Sequence, residues 1–190
     1  MLLWSAWNFV TPIFAIFANN IKGGGVEIAA SAFSVYLVNR VIFELISGKM
    51  LINSGELRKF ALTILGMLIM SIAYIGFAFT STVTQIFIYY AIIGLGIGIA
   101  SPAKNSLFSS HLDKDKEAME CGIVDASVFM GMALSSVIGG FIANQYGFPL
   151  LFILAAIVNL LGVIPYFLYM HQEKQDFFHR IMQKIDDFKQ

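Results

Sequence analysis

The chain has 190 residues, is 58% hydrophobic and only 13% charged, and carries a formal net charge of zero, whereas a soluble domain is about 25% charged. The net charge says nothing about nucleic acid, but no basic patch is interleaved with aromatics, which sets that partner aside, and the single cysteine, Cys121, excludes a disulfide framework or a cysteine-based zinc site. No Asp, Glu, Lys or Arg occurs between Phe60 and Ala103 or between Ala126 and Gln172. Each of these stretches is long enough to cross a hydrocarbon core of about 30 Å twice, at about 20 helical residues per crossing. The composition therefore predicts an all-α, polytopic membrane protein.

Breaks in the apolar pattern predict six transmembrane helices. The first covers 2–19; Asn8 and Pro12 interrupt it and no basic leader precedes Leu2, so it reads as a retained membrane helix and not as a signal peptide. It ends at "NNIKGGG", where three glycines favour an irregular connection. The second covers 27–48 and is followed by the polar loop "KMLINSGELRK"; the third covers 60–80 and the fourth 85–108. The charged loop "SSHLDKDKE" leads into a fifth helix over 118–144, and the Gly-Pro turn "QYGFP" into a sixth over 150–170. The predicted organisation is thus a transmembrane domain over 1–170 and a polar, amphipathic cytoplasmic tail over 171–190. In the tail, Phe177, Phe178, Ile181, Met182, Ile185 and Phe188 form an apolar helical stripe.

Short basic loops face the cytoplasm. All of the 12 Lys and Arg residues except Lys22 and Arg40 fall on one side of this topology. Both termini are therefore expected inside.

Two segments place charge within an apolar span. "YLVNRVIFELISG" carries Arg40 and Glu44 one turn apart, on the face shared with Tyr36 and Gly48. The fifth helix carries Asp125. At 1.5 Å per residue, Arg40 lies about 12 Å and Asp125 about 10 Å from the cytoplasmic ends of their helices. A charge at that depth costs about 2.5–3.5 kcal/mol on insertion scales, so opposite charges at matched depth predict a cluster of Arg40, Glu44 and Asp125, with Glu120 on its cytoplasmic edge. The simpler alternative is a pair between Arg40 and Glu44 alone.

Small residues at four-residue spacing, Gly94 and Gly98 in the fourth helix and Ser127, Gly131, Ser135 and Gly139 in the fifth, predict close helix packing. Pro12, Pro102 and Pro165 fall inside spans and can kink or loosen them. A polar stripe of Trp4, Asn8, Thr11 and Asn19 on the first helix is a candidate cavity lining. So is a face of Gln85, Tyr89, Gly96 and Ala100 on the fourth, with Lys104 near its cytoplasmic mouth. Either face serves equally well as an ordinary helix contact.

Six helices with both ends inside and a short basic loop after the second resemble one half of a major facilitator superfamily transporter, in the manner of its short six-helix members. "GKMLINSGELRK" is similar to that family's signature loop: Gly48 and Gly55 match its glycines, and Arg58 and Lys59 supply the basic pair one position displaced. Ile52, beside Asn53, stands where the family has aspartate. "GMALSSVIGGFIANQYGFP" resembles its fifth or eleventh helix, with Ser135 and Ser136 in place of Gly-Pro. The resemblance implies a secondary transporter of a small solute, working by alternating access in a prokaryotic cytoplasmic membrane, with helices one and four lining the cavity and no cofactor. It also implies that helices two and five meet a second unit. A parallel homodimer, with Arg40 of one copy against Asp125 of the other, meets that requirement, and Asp125 or Glu44 is then a candidate proton carrier. The alternative is a non-transporting membrane subunit that pairs with another partner. An enzyme is not expected: the chain has neither His-Glu-x-x-His nor Gly-x-Ser-x-Gly, and His111, His171 and His179 all lie in polar segments.

Overall fold

The computed structural model describes residues 2–187, with side chains described from Leu3 to Gln175 except Lys174. The described residues are helical, without strands. The first segment is α1 (Leu2–Val10), a 3-10 turn (Thr11–Ile13) and α2 (Phe14–Asn19). The turn falls at Pro12, which has no N–H to give and crowds the preceding turn. The long helices follow as α3 (Val26–Met50), α4 (Glu56–Ala78), α5 (Val83–Ser110), α6 (Glu117–Tyr146) and α7 (Phe148–Asp187). Five of these, counting α7 from Phe148 to Glu173, are long and apolar enough to cross a membrane. With the broken first segment they make the expected six.

The connections use residues suited to their backbone. Gly23 adopts φ +79°, and a Cβ on Gly24 would collide with the Ala18 carbonyl, so the triple-glycine link is a tight reversal. Asn53 and Gly147 turn the chain at φ 55° and 85°. At the start of α5, the Thr82 hydroxyl accepts the Gln85 N–H while Gln85 Oε1 accepts the Thr82 N–H at 3.1 Å, a reciprocal cap. Gln85 is thus engaged at a helix end.

Helix α5 is central. It packs against α3 and α4, while α4 also packs against α7, α1 against α6 and α7, and α2 against α3. Residues two apart lie roughly 200° around a helix, and the run of alternating glycines uses both sides. A Cβ on Gly98 would stand 2.8 Å from the Arg40 carbonyl oxygen, and one on Gly94 would strike the carbonyl of Tyr36, both on α3. On the other side, a Cβ on Gly96 would stand 2.7 Å from the Gly66 carbonyl oxygen of α4. Gly96 and Ala100 are therefore contact positions between α4 and α5. A Cβ on Gly139 would strike Phe9 of α1, and Gly131 is buried.

The interior is aromatic. Phe77 stacks on Phe152 at 5.1 Å, Phe14 meets Tyr90 edge-on at 4.5 Å, and Trp7 stacks on Tyr36 at 4.8 Å. Asn159 is fully buried in α7, where its Nδ2 donates to the Met67 carbonyl at 2.7 Å and to Ser71 Oγ at 2.9 Å. It clamps α7 to α4. Helices α3 and α6 turn large apolar side chains outward, among them Val41, Leu45, Phe129, Leu134 and Val137.

The helix of the sixth span continues past Met170: α7 runs on to Asp187 without a break, while its membrane-crossing stretch reaches Glu173. The apolar stripe expected in the tail, Phe177 to Phe188, lies outside the residues whose side chains are described.

Candidate functional site

Three helices meet at one end of the bundle, the end of the basic loops, and two of them bring charge. On α3, Tyr36, Arg40 and Glu44 follow one another at four-residue spacing and so share a face. Arg40 Nε donates to Glu44 Oε2 at 3.3 Å, and its Nη1 donates to the Tyr36 hydroxyl at 3.1 Å. The pair is partly open, with side-chain exposures of 27% and 36%. From α1, Trp4 offers its indole to the Arg40 guanidinium, 5.8 Å from the ring centroid. From α5, Lys104 Nζ lies 5.4 Å from the same centroid. Contacts of this kind contribute about 0.5–1 kcal/mol where exposed and about 2 where desolvated.

The remaining predicted charges sit apart from this group. Asp125 is exposed on α6 and makes no ion pair with Arg40 among the described residues, although it lies within electrostatic reach of Lys104. Within one chain, then, Arg40 is neutralised by Glu44. Glu120 holds the link between α5 and α6, where its Oε2 accepts the Asp113 N–H at 3.2 Å. That loop also carries a Lys116–Asp113 pair at 4.0 Å.

The polar residues of the first segment are tied locally. Asn8 Nδ2 donates to the Trp4 carbonyl at 3.0 Å and Thr11 Oγ1 to the Trp7 carbonyl at 2.8 Å. The Asn8 carbonyl in turn accepts Ser136 Oγ of α6 at 3.4 Å. Thr11 lines a small internal void with Trp7, Tyr74, Tyr90 and Phe152. Asn19 is exposed at the end of α2, and the Tyr89 ring packs on Phe77 at 5.3 Å. These two, with Gln85, lie at the end of the bundle opposite Lys104. In the signature loop, Gly48 and Gly55 have open space where a Cβ would point, and Arg58 is exposed. Glu56, next to Gly55, lies 3.9 Å from His111 at the far end of α5. Sequence reasoning passed over the Glu56–His111 contact and Asn159. The second was visible as the only amide in the apolar run of the sixth span.

The family model described as Major Facilitator Superfamily matches residues 1–179. The chain belongs to the major facilitator superfamily. Its similarity to curated proteins extends over most of its length. An uncharacterized MFS-type transporter of Methanocaldococcus jannaschii is 24% identical over 178 residues, which is 94% of this chain and 44% of the relative. The multi-drug resistance efflux pump PmrA of Streptococcus pneumoniae is 27% identical over 160 residues, 83% of this chain and 39% of the pump. The multidrug resistance protein MdtG of Proteus mirabilis is 28% identical over 137 residues, 72% of this chain and 33% of that protein. The chain thus spans under half the length of these curated relatives and fits one six-helix unit of the superfamily fold. The family and the helices make it an integral membrane protein.

Proposed function

We propose that the chain is one half of a secondary transporter that moves amphipathic small molecules by alternating access, and that a second, parallel copy completes the pathway. The observation that carries this reading is the state of α3 and α6. Both leave long apolar faces uncovered, and each brings charge to the same end: the Arg40–Glu44 pair on α3 and, on α6, Asp125, which has no ion pair among the described residues. A twofold axis brings α3 of one copy against α6 of the other, and Arg40 then meets Asp125 twice per dimer. The partly exposed Arg40–Glu44 pair leaves the guanidinium free to take a second carboxylate. The multidrug names of PmrA and MdtG, together with the Trp7, Tyr74 and Tyr90 lining of the small void, support an amphipathic solute. The bacterial and archaeal relatives and the basic loops support a prokaryotic cytoplasmic membrane with both ends inside. Asp125, an exposed carboxylate within the α6 span, is the candidate proton carrier, and a proton is the simplest coupling ion.

The test is flux in vesicles under an imposed pH gradient, joined to native mass measurement in lipid discs. Arg40→Asp and Asp125→Arg are each expected to lower the dimer fraction and flux at least about tenfold, and the double swap to restore the dimer. Asp125→Asn should leave the dimer and remove the response to the gradient. Normal dimers from both single swaps would sink the pairing. The second reading, a non-transporting subunit, rests on the same open faces; it predicts crosslinks to a chain of different mass and no flux.

A further inference from the structure

Lys104 and Arg40 approach the same indole but are not equally satisfied. Arg40 has Glu44 for its Nε and the Tyr36 hydroxyl for its Nη1. Lys104 makes no hydrogen bond or ion pair among the described residues; its contact is the Trp4 ring. A π face attracts charge but accepts little of what three N–H donors can give. Asp125 lies within reach of Lys104 without bonding to it. Arg40 is also close enough to act on Lys104, and two cations gathered on one ring repel, the more so where water is scarce. Glu44 balances one of them. The other keeps its donors free and is only partly buried, so a ligand can reach it.

We propose that Trp4, Arg40 and Lys104 form a binding subsite for an amphipathic monoanion, with Lys104 taking the anionic group beside the Arg40 charge and the indole face taking the adjoining apolar or aromatic part. An aromatic carboxylate is the simplest such ligand. The proposal deepens the transport reading by naming the charge of the solute, and it rests on that reading only for the ligand's passage across the membrane. An anionic lipid headgroup offers the same chemistry, so the test separates the two sources.

Trp4 and Trp7 are the two tryptophans of the chain. Trp7 belongs to the core stack with Tyr36, so in Trp7→Phe protein the emission reports Trp4 alone. In phosphatidylcholine discs this protein is titrated with benzoate, benzamide and benzylamine, which share a ring and differ in charge. Benzoate is expected to shift the Trp4 emission saturably, at a concentration about tenfold lower than either of the others, the ratio that one charge-assisted hydrogen bond supplies. Lys104→Gln should remove that ratio and Lys104→Arg should keep it. Isothermal titration of the protein with both tryptophans repeats the comparison should Trp7→Phe fold poorly. Equal response to the three probes, or a ratio that survives Lys104→Gln, overturns the subsite. Loss of benzoate binding in discs containing phosphatidylglycerol assigns the site to lipid and also overturns it. The titration needs no flux, so selectivity for benzoate without transport leaves the subsite standing and removes the transport reading, and amphipath flux without selectivity does the reverse.

Discussion

Asn159 lies in the most apolar span of the chain and is fully buried. Its amide joins the Met67 carbonyl and the Ser71 hydroxyl across the contact between α4 and α7. Bonds between membrane helices contribute about 0.6 kcal/mol on average and up to about 1.7. Asn159→Leu is therefore expected to lower unfolding free energy by about 1 kcal/mol and the midpoint of thermal unfolding in detergent by a few degrees. Ser71→Ala should have a smaller effect, because the carbonyl partner remains. Arg40 shows the opposite behaviour at this scale. Its charge was legible as an intramembrane anomaly, and so was Glu44 as a partner. The Trp4 indole between Arg40 and Lys104 was not, because the three residues come from separate helices.

Among the elements, α5 depends most on what it lacks. Glycines at 94, 96 and 98 let it lie between α3 and α4 with backbones nearly touching. Gly98→Leu forces a side chain into the Arg40 carbonyl and the Phe43 Cβ and is expected to cost about 1–3 kcal/mol, the range of overpacking in a core. Gly122 of α6 has open space around its missing Cβ, so Gly122→Ala should leave the unfolding midpoint unchanged or raise it slightly. Comparable losses from both substitutions would contradict the assigned packing. Prolines make the complementary point. Pro12, Pro102 and Pro165 read alike in sequence, yet Pro12 divides its segment while the other two lie inside continuous helices. Proline removes one bond wherever it stands; what the neighbouring helices do with the freed backbone decides whether the helix breaks.

The whole bundle is uneven in cover. Helices α4 and α5 are about half buried by their neighbours, while α3 and α6 each bury 17% of their apolar window. A six-helix unit with two open flanks is suited to pairing, in line with relatives more than twice its length. Orientation belongs to this scale as well, since every basic loop acts together. A fluorescent protein fused after Gln190, which matures only in the cytoplasm, is expected to be bright, and alkaline phosphatase at the same point inactive. Bright phosphatase activity would reverse the topology and put the Arg40 and Lys104 group on the outer side.

The chain's own pattern of charge and hydropathy determined the six membrane segments to within a few residues at most boundaries. It did so because burying backbone in lipid leaves few alternatives to helices of set length. The same pattern carried the family's loop, the anomalous charges and the small-residue stripes. Only the tertiary structure decided which stripe meets which helix, that Gly96 and Ala100 pack on α4, that Gln85 caps α5, and that Arg40 turns to Glu44 and Trp4 while Asp125 faces outward. Spacing along one helix settles which residues share a face. Which faces meet depends on packing between segments far apart in sequence, and no local periodicity records it.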